Sequence, residues 1–263
     1  MNYATGFLGG TGASIFGISI SDPDMKGDIG LATFWQLCSP ICETIRATVV
    51  VVDQADMSRS KIQVFYDFRS PYAYFAHRHI SDTSLGRLPN IDWQWTPISM
   101  DVLLNLQAGR AELAPYEDPL AAPKRAHMIA DVMRLSRYYK IDIQMPQPSR
   151  QNTRTALAIM NQIAGNSDIE TKLRDRLFRA HWERQQDIGS PETLASILKE
   201  IAPGVDLLDD KGSELIQNTK SNYDKDNVFG VPTFVSENGL YFGLDRLNLL
   251  LREMGLPASD SLT

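Results

Sequence analysis

The chain has 263 residues, of which 43% are hydrophobic and 22% are charged, a composition that permits one or two well-packed globular domains. Its formal net charge of -6 argues against a broad basic surface for nucleic acid or for an anionic membrane. Two cysteines are too few for a disulfide-stapled scaffold or a four-thiolate metal site, so we expect a cytoplasmic protein.

The first part of the chain, residues 1–60, shows no sustained period of 2 or 3.6 and holds both cysteines, Cys38 and Cys42. We predict that it is a poorly ordered N-terminal extension. Its most apolar stretch, residues 29–52, is interrupted by Pro40 and by charged residues, so it is a poor membrane span. Its first residues lack the positive charge of a secretory signal.

A strand, a helix and a second strand follow the extension. Residues 62–68 are rich in β-branched and aromatic side chains, which predicts a strand. Ser70 and Pro71 suit an N-cap and a first helical position, so we predict a helix that runs towards Leu85. Trp93 and Trp95 alternate with polar neighbours in a second strand, residues 91–95.

Residues 99–224 have the spacing of helices. Pro123 can open one helix, and Ser190 with Pro191 can open another. Residues 167–170 (SDIE) match a capping box. The apolar residues in this block repeat at helical intervals, among them Met128, Ile129, Val132, Leu135 and Tyr139.

The end of the chain returns to β structure. Residues 231–235 predict a short strand, Asn238 and Gly239 a tight turn, and residues 240–242 the partner strand. Residues 245–254 predict a closing helix, for which Asp245 is also a candidate N-cap. The resulting order is βαβ, a helical block and ββα.

This order predicts an α/β fold: a thioredoxin-like domain made of residues 61–98 and 225–258, interrupted by an all-helical insertion, residues 99–224. The chemistry of that fold lies at the N-terminus of the first helix, where free backbone N–H groups and the helix dipole favour a negative atom. Redox members place Cys-x-x-Cys there. Here the position reads Ser70-Pro71-Tyr72-Ala73, and residues 43–263 contain no cysteine.

Two interpretations of Ser70 stay open. The hydroxyl can act only as a helix cap, or it can also donate a hydrogen bond to a thiolate that a ligand brings in. In this fold the proline that opens the third strand is usually cis, and it lies opposite the helix start, so Pro232 is expected to be cis. The alternative is an ordinary proline on an edge strand.

Residues 61–255 resemble 2-hydroxychromene-2-carboxylate isomerases and kappa-class glutathione transferases. The resemblance is carried by residues 67–74 (DFRSPYAY), 228–234 (VFGVPTF) and 242–247 (FGLDRL), and by Lys124, Asp131 and Arg134 in a Lys…Asp-x-x-Arg pattern. These motifs stand in the order that the family has.

The resemblance implies that the cofactor is glutathione and that the partner is a small-molecule substrate. Ser70 would hold the thiolate, and Val231, beside a cis Pro232, would pair with the cysteinyl backbone. The γ-glutamyl end would lie against Phe242, Gly243, Leu244 and Asp245, and the substrate near Lys124 and Asn152. A homodimer is common in this family.

The sequence departs from the isomerases at the substrate side. The position of a family lysine falls near Leu104 or Asn105, that of an Asn-Arg pair near Asp118 and Pro119, and that of a tyrosine at Gln151. We therefore expect an aromatic or conjugated substrate other than 2-hydroxychromene-2-carboxylate itself.

The leading interpretation is a glutathione-dependent isomerase with Ser70 as its catalytic residue. A kappa-class-like glutathione transferase would use the same serine. A non-catalytic thioredoxin-like binding module is a further alternative, and a redox protein that uses Cys38 or Cys42 is another. The four histidines show no metal-ligand spacing, so no metal is expected, and we expect them to be solvated or partly buried: His77, His79, His127 and His181.

Overall fold

A computed structural model describes residues 59–207 and 211–256. The predicted extension up to residue 58, both cysteines, and residues 257–258 of the predicted second segment lie outside these ranges. The strands are β1 Ser60–Tyr66, β2 Ile91–Pro97, β3 Thr233–Ser236 and β4 Gly239–Phe242. The α-helices are α1 Pro71–Asp82, α2 Met100–Gln107, α3 Ala122–Tyr139, α4 Arg154–Gln162, α5 Ser167–Trp182, α6 Pro191–Ile201, α7 Lys211–Asp226 and α8 Leu247–Glu253.

The four strands form one mixed sheet in the order β2-β1-β3-β4. β1 is parallel to β2, because α1 carries the chain back across the sheet between them, and antiparallel to β3, which in turn is antiparallel to β4. In the central strand Val64 is level with Trp95 on one side and with Phe234 on the other. The predicted thioredoxin-like βαβ and ββα units are confirmed.

β1 is buried on both faces. Ile62, Val64 and Tyr66 point into the larger apolar cluster, whereas Phe65 belongs to a smaller cluster with Val231. This alternation follows from the two-residue period of a strand. The end of β1 is thereby fixed from both sides of the sheet, and the loop that follows it carries Ser70.

The helical block and the sheet share the larger cluster. Phe178 of α5 packs its ring against Tyr66 of β1, Phe68 of the following loop and Tyr74 of α1, at centroid distances of 5.7, 4.9 and 5.6 Å. Such aromatic contacts add to the stabilisation that burial of the rings provides. The helices therefore pack on the same core that holds the strands.

Several predicted boundaries shift for local reasons. α1 ends at Asp82 because Thr83 is extended and its Oγ1 accepts the N–H of Leu85 (3.2 Å), which starts a separate 3-10 turn, Ser84–Arg87. The cap of α5 is Asn166 and not Ser167, since the Asn166 side chain accepts the N–H of Ile169.

α3 is more exposed than the helical spacing of its apolar residues predicts. Its helical spacing is confirmed, but within it only Val132 is buried, while Ile129 and Met133 are 41% and 37% exposed. The histidines depart in the opposite sense: the side chains of all but His127 are buried. No helix in the described ranges is long and apolar enough to cross a bilayer.

Candidate functional site

Ser70 lies in the loop between β1 and α1 and is 3% exposed. Its Oγ accepts the N–H of Ala73 (3.2 Å), which makes Ser70 the N-cap that the sequence predicts, with Pro71 in the first turn. The same Oγ donates to the backbone carbonyl of Val231 at 3.3 Å. The hydroxyl thus joins the start of α1 to a segment that lies 161 residues further along the chain.

The Val231–Pro232 peptide bond is cis, as expected for this fold. Both residues are buried, and the carbonyl of Pro232 accepts the N–H of Gly243 at 2.9 Å. Ser70, the cis pair and the segment that follows β4 therefore meet at one end of the sheet. These are the segments to which the resemblance assigned the glutathione site.

The segment after β4 contains a glycine in a conformation that favours glycine. Gly243 has a φ of +104°, and a Cβ built on it would lie 2.6 Å from Oδ1 of Asp245. Asp245 lies in a 3-10 turn, Leu244–Arg246, and is not the cap of α8, while its side chain is 75% exposed. Phe242 is 44% exposed, and Leu244 is buried in the core. Leu244 can therefore offer a ligand only its backbone.

Asp67 holds the loop that carries Ser70, and it is 1% exposed. Its Oδ1 accepts the N–H of Arg69 and the hydroxyl of Thr153, both at 2.9 Å, and its Oδ2 accepts the N–H of Met100 at 2.8 Å. The carboxylate thereby ties this loop to the starts of α2 and α4. The bond to Arg69 could be expected from the sequence, because an aspartate often accepts the N–H of the residue two positions later. The bonds to Thr153 and Met100 join distant parts of the chain and have no local signal in the sequence.

A cavity of about 310 Å³ lies beside this loop. Asp101 in its wall forms an ion pair with Arg69 (2.9 Å) and accepts a hydrogen bond from Arg150 (3.0 Å), and the Arg150 guanidinium lies 3.4 Å from the ring centroid of Tyr116. Ser70 does not line this cavity, but its neighbour Arg69 contacts the wall. The lining residues are Asp101, Glu112, Leu113, Ala114, Pro115, Tyr116, Arg150, Gln151, Asn152 and Arg154.

The two predicted substrate residues lie apart from Ser70. Asn152 is exposed in the cavity wall, where its Oδ1 accepts the backbone N–H of Arg154 at 3.2 Å. Lys124 is exposed near the start of α3, about 10 Å along the helix axis from Asp131. Asp131 accepts a hydrogen bond from the hydroxyl of Tyr72 (3.0 Å), so α3 meets α1 close to Ser70. Within the described residues no hydrogen bond joins Lys124 or Asn152 to the Ser70 end.

The departures from the isomerase pattern are structural residues here. Asn105 is 1% exposed and donates to the carbonyls of Glu112 and Ala114, at 3.0 and 2.9 Å, which holds the cavity wall in place. Gln151 is 2% exposed, and its Oε1 lies 2.8 Å from Nδ1 of His181 and accepts the N–H of Ile188. Both side-chain amides already form hydrogen bonds within the protein, so neither is available to a substrate.

Two titratable groups near the loop are neutral at physiological pH. Burial, together with the charge of Arg69, lowers the pKa of His181 to about 3. Burial and the hydrogen bond to Asp131 raise the pKa of Tyr72 to about 12. The positive charge beside this loop therefore comes from Arg69 and the cavity arginines.

Comparison with known proteins identifies the family and the fold. Residues 61–255 match the family described as "DSBA-like thioredoxin domain". No curated protein sequence matches the chain. Among solved structures, a 2-hydroxychromene-2-carboxylate isomerase is similar with a TM-score of 0.61 and 20% identity, over 74% of this chain and 94% of that one.

Two oxidoreductases have the same fold. A probable DsbA oxidoreductase from Streptomyces coelicolor has a TM-score of 0.53 and 12% identity, over 76% of this chain and 92% of its own. The cytosolic disulfide reductase DsbM from Pseudomonas aeruginosa, solved with GSH, has a TM-score of 0.50 and 14% identity, over 69% and 88%. At these identities the likenesses concern the fold. From the match over residues 61–255, the chain belongs to the DSBA-like thioredoxin domain family.

Proposed function

We propose that the chain is a glutathione-dependent isomerase of an aromatic or conjugated small molecule, in which Ser70 stabilises the glutathione thiolate. The observation that carries the proposal is the Ser70 hydroxyl at the N-terminus of α1, 3.3 Å from the carbonyl of Val231. Residues 43–263 contain no cysteine, so this part of the chain has no thiol of its own for disulfide exchange. A reactive sulfur at this position would have to come from a ligand.

The residues present fit a cysteine-containing tripeptide. Ser70 offers a hydroxyl at a helix N-terminus, a combination that favours an anionic sulfur. Val231 offers the backbone of an extended segment, which can pair with a peptide backbone. The exposed carboxylate of Asp245 suits an ammonium group, and Gly243 leaves no room for a side chain beside it. That DsbM was solved with GSH is consistent with this assignment.

The chain's own residues would lower the pKa of the bound thiol and orient it. A hydrogen bond to a charged group contributes about 1.5–3 kcal/mol, which corresponds to a thiolate population raised about 10- to 100-fold. Glutathione, when bound, supplies a thiolate that can add reversibly to a conjugated carbon and allow rotation about the former double bond. Asp67 would keep Ser70 in place through its bonds to Arg69, Met100 and Thr153.

The cavity beside Arg69 is the place that we assign to the second substrate. Tyr116, Leu113 and Pro115 give it apolar surface. Its cations are Arg150, which is paired with Asp101, and Arg154, while Glu112 in the same wall is paired with Lys220. Such a lining suits a planar compound with a conjugated system and a negative group. The cations come from the segment before α4 and from its first turn, and not from the positions at which the family isomerases carry theirs.

The test compares two serines that both cap helices and both precede proline. Ser70 caps α1, and Ser190 caps α6 by accepting the N–H of Thr193 at 3.3 Å. We expect Ser70→Ala to raise the thiol pKa of bound glutathione and to lower turnover about 10- to 100-fold, while Ser190→Ala loses only about 1 kcal/mol of stability. Calorimetric titration with glutathione and the ultraviolet absorbance of the thiolate measure the first effect.

Two outcomes would contradict the proposal. If wild type does not bind glutathione, the chain fits a non-catalytic binding module better. If Ser70→Ala and Ser190→Ala behave alike, Ser70 is only a cap. An assay of free thiol during turnover then separates isomerase from transferase, because an isomerase returns all of its glutathione, whereas a transferase consumes one thiol for each product.

A further inference from the structure

The hydroxyl of Ser70 has a single hydrogen, and the fold already uses it. Oγ donates to the carbonyl of Val231 at 3.3 Å and accepts the N–H of Ala73 at 3.2 Å. Ser70 and Val231 are only 3% and 8% exposed. A hydroxyl can accept further bonds, but it has no second hydrogen to donate.

This proton count constrains any thiolate site built on Ser70. A thiolate accepts hydrogen bonds and donates none, so the Ser70 hydrogen has to leave the Val231 carbonyl before it can bind a sulfur. A buried carbonyl that loses its donor is destabilising unless another donor replaces it. The gain at the sulfur would then be largely offset by the loss at Val231.

We propose that the carbonyl of Val231 is a specificity-determining group, because it makes thiolate formation depend on an N–H donor of the ligand. The inference rests on the proposed function. A ligand N–H takes the place of the Ser70 hydroxyl on this carbonyl, and the hydroxyl hydrogen turns about the Cβ–Oγ bond towards the sulfur. Oγ keeps its bond from Ala73. The only covalent bond that breaks is S–H, and its proton passes to solvent.

The ligand class follows from this exchange. Peptides whose cysteine carries a backbone N–H beside the thiol satisfy both atoms at once. Simple alkyl thiols, which have no such donor, would leave either the Val231 carbonyl without a donor or the sulfur without the hydrogen bond from Ser70. Recognition of the peptide backbone and activation of its sulfur are thereby coupled through two atoms that lie 3.3 Å apart.

The experiment compares glutathione with its ester analogue, in which an ester oxygen replaces the N–H of the cysteinyl residue. Each ligand is bound at saturation, as determined by calorimetry, and the ultraviolet absorbance of its thiolate is titrated and compared with the same ligand free in solution. For the wild-type protein we expect the thiolate-to-thiol ratio to rise on binding at least about tenfold less for the ester than for glutathione. In Ser70→Ala, binding should raise the thiolate-to-thiol ratio of the two ligands by the same factor.

The outcomes separate this inference from the proposed function. Equal enhancement of both thiolates by wild type would overturn the exchange and leave the proposed function standing. Glutathione that binds with an unchanged thiol pKa, or does not bind, would overturn both. If the ester does not bind, hydrogen–deuterium exchange of the cysteinyl amide in bound glutathione decides: protection supports the exchange, and an unprotected amide contradicts it.

Discussion

The two ends of α1 are attached to the protein in different ways. Along its second half, Arg78 pairs with Asp82 (2.6 Å) and with Glu183, and His77 meets Asp175 of α5 at 3.2 Å. In its first turn the hydroxyls of Tyr72 and Tyr74 donate to Asp131 of α3 and to Glu183, whereas at the N-cap the links are those of the Ser70 hydroxyl and of backbone groups. The body of the helix is thus held by charged side chains, and the N-cap by hydrogen bonds of a neutral hydroxyl and of the backbone.

Under the proposed function, this difference would combine a fixed helix with an N-terminus that can adapt to a ligand. Asp175 of α5 and Glu183, just after α5, hold α1 in place, so its dipole points at a fixed spot. The atoms at that spot, Ser70 Oγ and the carbonyl of Val231, share a single weak bond of 3.3 Å that a ligand can replace. Changes in the α5 contacts should therefore alter stability, and changes around Ser70 should alter the ligand thiol.

The largest expected effect is on the free energy of unfolding, and it comes from a change in α5. Arg174 of α5 is 3% exposed, pairs with Glu170 (2.9 Å) and lies 4.5 Å from the ring centroid of Trp95. Arg174→Met should lower the free energy of unfolding by about 3 kcal/mol, because it leaves Glu170 without its partner. Glutathione affinity of the folded protein should stay unchanged. Urea unfolding and calorimetry measure the two quantities.

A matched control lies on the same helix. Lys172 forms the same i,i+4 type of ion pair with Asp168, but both side chains are more than half exposed. Lys172→Met should lower stability by less than about 0.5 kcal/mol. Equal losses for the two variants would show that burial of the pair is not what matters.

A substitution of Asp67 tests the loop that carries Ser70. Asp67→Asn should lower stability by about 2 kcal/mol, since an amide cannot accept all three of the hydrogen bonds that the carboxylate accepts. Unlike Arg174→Met, it should also weaken thiolate formation, because the loop of Ser70 loses its anchor. Asp187 serves as the control: its Oδ1 also accepts an N–H two residues on, that of Gly189, at 2.9 Å. Retained thiolate formation in Asp67→Asn would contradict the positioning role.

Two buried histidines predict loss of stability in acid. Burial lowers the pKa of His77 to about 4 and that of His181 to about 3, against 6.5 in an unfolded chain. Between these values the unfolded state binds more protons, so stability falls as the pH drops below 6.5. Each histidine should contribute about 2 kcal/mol of loss between pH 7 and pH 5.

His181→Gln should remove its share of this pH dependence in urea unfolding measured at several pH values. The exposed His127 offers the control, and His127→Gln should leave the pH dependence as it is. A slope that His181→Gln does not change would mean that His181 can become protonated inside the folded protein.

The smallest expected effect tests whether the γ-glutamyl group of glutathione lies beside Asp245. Gly243 and Gly239 both have positive φ, +104° and +129°, but only at Gly243 would a Cβ meet another group, Asp245. Both alanine variants should lose about 1 kcal/mol of stability. Only Gly243→Ala should also lower glutathione affinity, several-fold in calorimetry. Equal affinities in the two variants would move the γ-glutamyl group away from Asp245.

The sequence predicted those features that depend on neighbours in the chain. Ser70 and Pro71 mark the start of α1, because a hydroxyl and a proline suit adjacent positions there. The alternation in β1 and β2 reflects the two faces of a strand. The place of α5's cap was wrong by one residue, because Asn166 competes with Ser167 for the same role.

Features that depend on distant contacts could not be predicted. The cavity wall joins Asp101 to Arg150, which lies 49 residues further on, and no local pattern marks that pair. Ile129 repeats at the helical interval of the apolar residues, but it is 41% exposed, since helical spacing does not tell how much of a helix its neighbours cover. His77 and His181 were expected at least partly in solvent, but both are buried: His77 stacks on Phe178 of α5 at 5.1 Å, and Nδ1 of His181 lies 2.8 Å from Gln151.

The central claim is that Ser70 activates a sulfur that belongs to a ligand, and a crystal structure of the protein with glutathione tests it most directly. The account predicts the glutathione sulfur within hydrogen-bonding distance of Ser70 Oγ, and the cysteinyl N–H on the carbonyl of Val231. A structure with the sulfur elsewhere, and with Ser70 still bonded to Val231 as it is here, would contradict the account.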